Sequence, residues 1–162
     1  MNPSDAHQQL ITALYESMQK RDGDGMAACY HPDAEFEDAA FTLKGAEIGD
    51  MWRMLCTRGK DLRVNFSQID CHEEYRSAHW DAWYTFSATG RSVHNIIDAE
   101  YTFRDGKIFR HHDHFSFWRW SRQAFGLAGW LLGWTPLLRR KVRAGARKGL
   151  DAFRATQSSK AK

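Results

Sequence analysis

One short stretch, FRHHDHFSFWRW at residues 109–120, concentrates the side chains that could do chemistry. Three histidines and one aspartate occupy residues 111–114, and aromatic residues follow them. Imidazole and carboxylate groups held together can transfer protons near neutral pH, or they can bind a metal ion. The choice between these two chemistries depends on which of the side chains share a face.

Strand geometry divides this stretch into two sets of side chains. Alternate side chains of a β-strand point to opposite faces, and residues 107–118 have the composition of a strand. The more apolar face would carry Phe109, His111, Asp113, Phe115 and Phe117. His112 and His114 would lie on the other face. His111 and Asp113 are then polar exceptions on an apolar wall, which is informative because burying an unpaired polar group is costly.

A metal site is the alternative interpretation of the same histidines. His112 and His114 would place two imidazoles on one face, and His94 on the neighbouring strand lies within reach of them. A zinc site needs three or four convergent ligands with support behind them. Two histidines on one strand are more typical of a solvated or subunit-facing surface, so we predict no bound metal. We also find no nucleophile motif or phosphate loop, and we predict no cofactor.

Hydrophobic periodicity predicts the elements that would hold these residues. We expect a first helix capped by Ser4, with an apolar stripe that includes Leu14 and Met18, and a second short helix capped by Asp24 that ends before Pro32. A strand at 34–41 and a helix at 45–55 follow. From residue 62 the period becomes two, and strands at 62–72, 77–88, 92–103 and 107–118 are separated by EEYR, TGR and RDG turns. This order predicts an α+β fold in which a curved antiparallel sheet wraps over three N-terminal helices.

Three sequence patterns in the same order resemble the nuclear-transport-factor-2-like superfamily, and in particular its SnoaL-like and ketosteroid-isomerase-like domains. They are YHPDAEFEDAAF, GAEIGDMW and RDGKIFRHHDHF, and the likeness covers about residues 7–118. The resemblance implies a cone-shaped domain at 1–118, an apolar small molecule as ligand, and a homodimer formed through the outer face of the sheet. It also implies that Asp38 stands where a catalytic acid often lies, and that His111 and Asp113 line the pocket.

We therefore predict Asp38, Asp113 and His111 as catalytic residues, with Asp38 or Asp113 as the base and His111 as its proton partner. The predicted ligand pocket contains Leu14, Tyr15, Met18, Met51, Trp52, Tyr84, Asn95, Ala99, Tyr101 and Phe115. Such a site suits an isomerase, cyclase or dehydratase acting on an apolar carbonyl compound. Leu14 and Ala99 stand where ketosteroid isomerases carry their oxyanion-hole donors, so steroid isomerisation itself is not predicted. The alternative is a non-catalytic ligand-binding or protein-interaction domain on the same fold.

The charge of the chain is divided between an acidic body and a basic tail. Residues 1–118 carry a net charge of −7, and residues 119–162 carry +10. The apolar segment of this C-terminal helical extension could pack over the mouth of the cone or on a sister subunit, with its basic helix resting on the acidic body. Residues 125–154 also resemble a weak membrane-surface anchor. We predict no nucleic-acid binding, because the acidic body would repel it. Three cysteines without a pattern and no apolar leader favour a cytoplasmic protein.

Overall fold

Three N-terminal helices form where apolar side chains recur on one helical face. In a computed structural model, which describes residues 3–72 and 76–160, these helices are α1 (Pro3–Gln19), α2 (Gly23–Ala27) and α3 (Ala46–Arg58). The buried side chains of α1 are Ile11, Leu14, Tyr15 and Met18. Their spacing of three and four residues places them on a single face, as expected for a helix packed on a core.

Six strands form one curved sheet in the order β2-β1-β6-β5-β4-β3. They are β1 (Tyr30–Glu37), β2 (Thr42–Lys44), β3 (Arg63–Cys71), β4 (Arg76–Phe86), β5 (Arg91–Arg104) and β6 (Lys107–His114). All neighbouring pairs are antiparallel except β1 and β6, which are parallel. The turn between β5 and β6 uses Asp105 and Gly106 at φ values of 50° and 70°, which suit a tight hairpin. The predicted α+β fold is confirmed.

The helix starts differ from the sequence prediction. Ser4 lies inside α1 rather than at its N-cap, and its hydroxyl donates to the backbone carbonyl of Cys71. The cap of α2 is Asp22, whose carboxylate accepts from the backbone N–H of Gly25, whereas Asp24 already lies in the helix. Asp24 instead pairs with Arg53 on α3. Several acidic and hydroxyl residues stand close together in sequence, and only their tertiary partners decide which of them caps the helix.

The first predicted strand is also displaced. It begins earlier than expected, at Tyr30, and runs through Pro32, while residues 42–44 form a separate short strand that we did not predict. A proline is tolerated there because the β1–β6 pairing shifts register between Tyr30 and Glu35, so no regular hydrogen bond is lost. The turn between β1 and β2 contains Asp38.

Strand β6 ends at His114, so the prediction that it continues to residue 118 is wrong. Ser116 caps a helix by accepting from the backbone N–H of Arg119. Pairing with β5 skips Phe109, because Thr102 faces Arg110 and the next paired residue faces Ile108. This bulge moves Phe109 off the face of His111, where parity had placed it. The predicted EEYR turn at 73–76 lies largely outside the described residues.

The C-terminal extension forms three helices: α4 (Phe117–Phe125), α5 (Leu127–Leu132) and α6 (Pro136–Lys160). Leu150 and Phe153 of α6 are buried in the main core with α1 and α3. Arg147 and Arg154 pair with Glu47 on α3, so the basic helix does rest on acidic residues of the body. Because the extension and body share this core, the division at residue 118 stays a prediction. Among the described residues, no helix is both long enough and apolar enough to cross a membrane.

Candidate functional site

A cavity of about 310 Å³ opens between the inner face of the sheet and helices α1 and α3. This volume falls at the small end of the range of about 300–1,000 Å³ that is common for small-molecule sites. Its wall is mainly apolar, and its polar side chains include Asp38, Asp113, Asn95, Tyr84 and Thr85. A mostly apolar wall with a few polar groups suits an apolar ligand that carries one or two polar atoms.

The structure brings most of the predicted residues to this cavity. The wall includes Asp38, Asp113, Met18, Met51, Trp52, Tyr84, Asn95 and Phe115. Met51, Trp52 and Tyr84 line the cavity without filling it. Whether these side chains contact a ligand stays a prediction.

Five predicted residues lie behind the wall instead. They are Leu14, Tyr15, Ala99, Tyr101 and His111, and none of them is more than 4% exposed. The hydroxyls of Tyr15 and Tyr101 are hydrogen-bonded to each other in the core, and burial raises the pKa of both well above the ordinary value. Strand parity gives the correct face for the β-strand residues among them. It does not show which of these residues reach the cavity and which are packed behind its wall.

His111 and Asp113 form a buried pair. The Nε2 atom of His111 lies 2.8 Å from Oδ1 of Asp113, and the indole N–H of Trp80 donates to the same oxygen at 3.3 Å. Among the described residues, no fully buried side-chain oxygen or nitrogen lacks a hydrogen-bond partner. Both of these hydrogen bonds end on Oδ1 of Asp113, and neither uses Oδ2. Asp113 is also part of the cavity wall.

The other side of His111 is held by Tyr30. The Tyr30 hydroxyl lies 2.6 Å from Nδ1 of His111 and accepts a hydrogen bond from the indole N–H of Trp52 at 3.0 Å. One arrangement satisfies all of these groups: Trp52 donates to the Tyr30 hydroxyl, Tyr30 donates to Nδ1 of His111, and Nε2–H donates to the Asp113 carboxylate. The chain of donors therefore runs from Trp52 through Tyr30 and His111 to Asp113.

Asp38 reaches the cavity from the turn between β1 and β2. Its Oδ1 accepts from the backbone N–H groups of Ala40 at 2.7 Å and Phe41 at 2.6 Å, which fixes the carboxyl group on the turn. Burial raises the pKa of Asp38 from 3.8 to about 7, and the charge of Asp113 adds to the rise, whereas the two backbone N–H groups oppose it. A carboxyl group with this pKa can both accept and donate a proton near neutral pH.

Tyr84 provides a hydroxyl group on the same wall. It accepts from the indole N–H of Trp120 at 2.8 Å, and burial raises its pKa to about 12. The phenol therefore keeps its proton at neutral pH, and that proton is available to a ligand oxygen. Trp120 belongs to α4, so the extension supplies part of the wall.

The extension also holds the turn that carries Asp38. Arg143 of α6 donates to the backbone carbonyls of Asp38 at 3.3 Å and Ala39 at 3.4 Å, and to the hydroxyl of Thr42. Four residues around the site were not predicted from the sequence: Arg143, Trp120, Trp80 and Tyr30. Strand parity on β4 places Trp80 on the inner face, so the sequence contained a signal for it. Tyr30, Trp120 and Arg143 lie on β1, α4 and α6, and no local pattern shows that these elements come close to the site.

His112 and His114 lie on the outer face of the sheet, as parity predicted. Their rings are 3.9 Å apart, and His114 lies 3.4 Å from a Glu100 oxygen. His94 pairs instead with Asp81 on β4 at 2.7 Å. Within residues 3–72 and 76–160, no group of three or more His, Cys, Asp or Glu side chains converges as a metal site.

Comparison with solved structures shows the same fold at low sequence identity. A hypothetical protein from Catenulispora acidiphila with a ketosteroid isomerase-like fold, solved with trimethylamine, has 15% identity and a TM-score of 0.64 over 78% of this chain and 97% of its own. A putative polyketide cyclase from Xanthomonas campestris has 18% identity and a TM-score of 0.63 over 76% of this chain and 99% of its own. An LEH-like epoxide hydrolase from M. tuberculosis has 17% identity and a TM-score of 0.61 over 83% of this chain and 96% of its own.

No curated protein sequence matches this chain. The sequence profile of the SnoaL-like domain matches residues 11–111, which is more than half of the chain and includes Asp38 and His111. Asp113 lies two residues beyond the matched segment, on the same strand. The chain belongs to the SnoaL-like domain family.

Proposed function

We propose that this protein binds an apolar carbonyl compound in its cavity and catalyses a proton-transfer reaction on it, of the isomerase, cyclase or dehydratase type. The observation that carries the proposal is the presence of two carboxyl groups, those of Asp38 and Asp113, on one mainly apolar cavity wall. The raised pKa of Asp38, about 7, supports its use as the group that exchanges a proton.

In the proposed reaction, the Asp38 carboxylate removes a proton from the carbon next to the carbonyl group. The electron pair of the broken C–H bond moves to form an enolate, and its oxygen receives a hydrogen bond from the Tyr84 hydroxyl. Protonated Asp38 then returns the proton to another atom of the same molecule. No oxidant or external base is needed, so atoms and charge balance within the site.

Asp113 has the second role, that of an acceptor that orients a polar group of the ligand through Oδ2. His111 does not reach the cavity, so it acts as a positioning residue rather than as the direct proton partner expected from the sequence. The donor chain from Trp52 through Tyr30 supports this role, because it fixes the ring of His111 and, through it, the carboxylate of Asp113.

Hydrogen–deuterium exchange tests this function without knowledge of the substrate. The protein would be incubated in D₂O with a panel of apolar cyclic ketones and enones, and deuterium at the carbon next to the carbonyl would be measured by NMR. We expect exchange that increases through pH 7, and a loss in Asp38→Asn of about 100-fold or more. Asp113→Asn should weaken ligand binding while the fold is retained. Asp33→Asn is the matched control, because Asp33 is an exposed carboxylate on β1, the strand that leads into the turn of Asp38.

A non-catalytic ligand-binding domain is the second candidate. It is favoured by the hydrogen bonding of every fully buried side-chain polar atom in the part of the chain that the structure describes, which explains His111 and Asp113 without any reaction. Ligand binding without exchange, equal in wild type and Asp38→Asn, would support this candidate over catalysis. If no compound of the panel binds, both candidates fail for this class of ligand.

A cytoplasmic location stays a prediction. We also propose a homodimer that forms through the outer face of the sheet. On that face the Trp83 ring stacks on His94 at 4.5 Å, which gives a partly exposed aromatic surface. Light scattering coupled to size exclusion would measure the mass in solution. We expect a dimer for wild type and a monomer for Trp83→Glu, and a wild-type monomer would contradict this part of the proposal.

A further inference from the structure

Helix α5 and its flanking turns expose a group of large apolar side chains. This apolar patch consists of Leu127, Trp130, Leu131, Leu132, Trp134 and Leu137, whose exposed fractions lie between 46% and 75%. Soluble proteins rarely leave so many large apolar side chains together in water unless the surface binds a partner.

The outward orientation of the patch is fixed by the glycines of α5. Gly129 and Gly133 are buried against α4, and a Cβ at Gly129 would lie 1.8 Å from the backbone oxygen of Ser121. The Ser121 hydroxyl donates to the Gly129 carbonyl, and the Trp118 indole N–H donates to the Trp130 carbonyl at 3.2 Å. The glycine side of α5 must therefore face the protein, which leaves the tryptophan and leucine side chains in solvent.

Cations flank the patch along the sequence. Residues 114–150 contain eight Lys or Arg and no Asp or Glu. Arg119 and Arg122 line a surface depression together with Arg91, and the Arg122 guanidinium lies 4.5 Å from the centre of the Trp118 ring. Within residues 3–72 and 76–160, Arg119 and Arg122 form no ion pair with a carboxylate, unlike Arg147 and Arg154, which pair with Glu47 of the body.

We propose that this surface docks on an anionic phospholipid membrane. The tryptophan and leucine side chains would enter the interfacial region, and the arginine depression would receive headgroup phosphates. Residues 1–118 carry a net charge of −7, so an anionic membrane would repel the body of the protein. The protein would therefore dock with its extension towards the lipid. A second copy of the chain fits less well, because twofold pairing would place cation-rich surfaces against each other.

Vesicle co-sedimentation tests the proposal with the full chain. One set of vesicles contains phosphatidylcholine alone, and the other contains phosphatidylcholine with an equal amount of phosphatidylglycerol. We expect the wild type to bind the anionic vesicles much more strongly, and high salt to weaken that binding. Free inorganic phosphate at moderate concentration should not prevent binding, which would distinguish a membrane surface from a simple phosphate site.

Two double variants separate the apolar and cationic parts of the surface. Trp130→Gln with Trp134→Gln should lower the vesicle partition coefficient by about tenfold or more, because each side chain buries large apolar area. Arg119→Gln with Arg122→Gln should give a loss of about tenfold or more on anionic vesicles only. Lys20→Gln with Lys60→Gln removes two exposed cations from the body and should leave binding unchanged.

Unchanged urea midpoints would show that the variants keep their fold. Absence of wild-type sedimentation with anionic vesicles would overturn the proposal, and so would equal sedimentation of the wild type and the tryptophan variant. Conversion of a dimer to a monomer by the tryptophan variant, without any vesicle binding, would assign the patch to self-association instead. None of these outcomes depends on whether the cavity is catalytic.

Discussion

Asp38 makes the free energy of unfolding depend on pH in a way that the neutral variant Asp38→Asn removes. The folded protein raises the pKa of this carboxyl group from 3.8 to about 7, mainly by burial. Between these two values the folded chain keeps a proton that the unfolded chain has released. The unfolding free energy therefore falls as pH rises through this window, and the contribution is constant below and above it.

The size of the effect follows from the same two pKa values. A change from 3.8 to about 7 corresponds to at most about 4 kcal/mol of destabilisation above pH 7. An asparagine side chain keeps an amide oxygen that can accept from the N–H groups of Ala40 and Phe41, but it carries no charge to bury. At a pH near 3.8, the free energy of unfolding of Asp38→Asn should therefore match that of the wild type. At alkaline pH it should exceed that of the wild type by up to about 4 kcal/mol.

Urea unfolding of both proteins across a pH series measures this difference. Asp33→Asn is the control, since its exposed carboxylate should give a difference that does not grow with pH. A carboxyl ¹³C NMR titration of Asp38 gives its pKa independently. A stability difference between wild type and Asp38→Asn that stays constant with pH would refute the assignment of a raised pKa, and with it the acid–base role.

Three further substitutions test the packing around the site by urea unfolding. Tyr30→Phe removes a hydroxyl that joins two buried side chains, so we expect a loss of about 1–3 kcal/mol; an unchanged midpoint would mean that water replaces the hydroxyl. Leu150→Ala should cost about 2–5 kcal/mol because α6 belongs to the main core, and a loss near zero would show that the extension is a separable appendage. Gly129→Ala should be strongly destabilising, because the added Cβ would collide with the backbone of α4. Gly145→Ala on α6 adds a Cβ in open space and should stabilise the protein by about 1 kcal/mol. Equal effects of the two substitutions would contradict the packing of α5.

The order of the longer strands along the chain and the division of the histidines were predictable because both depend on local periodicity. Alternation alone placed His111 and Asp113 on the inner face and His112 and His114 on the outer face. The same reasoning failed at Phe109, because one extra residue in β6 reverses parity on one side of the bulge. A bulge is set by the pairing of two strands, and it leaves no signal in the sequence of either strand alone.

The candidate site needed more than parity. The prediction that Asp38 and Asp113 face one cavity agrees with the structure, because the turn after β1 and the end of β6 are neighbours in this sheet. It could not show that His111 lies behind Asp113, because depth in a curved sheet depends on how the strands twist. The sequence also did not show how many large apolar side chains α5 leaves exposed. Their exposure follows from the packing of Gly129 and Gly133 against α4, which is a tertiary contact.

The sequence by itself determined the family, the order of the N-terminal helices and the longer strands, and the face on which most strand residues lie. These properties depend on patterns within a few residues, where backbone geometry leaves few choices. Tertiary structure alone decided that Asp38 is enclosed enough to bring its pKa to about 7, and that Arg143 of the extension holds its turn. Burial and proximity arise from segments about 100 residues apart in the chain, here residues 38 and 143, and no local pattern encodes them.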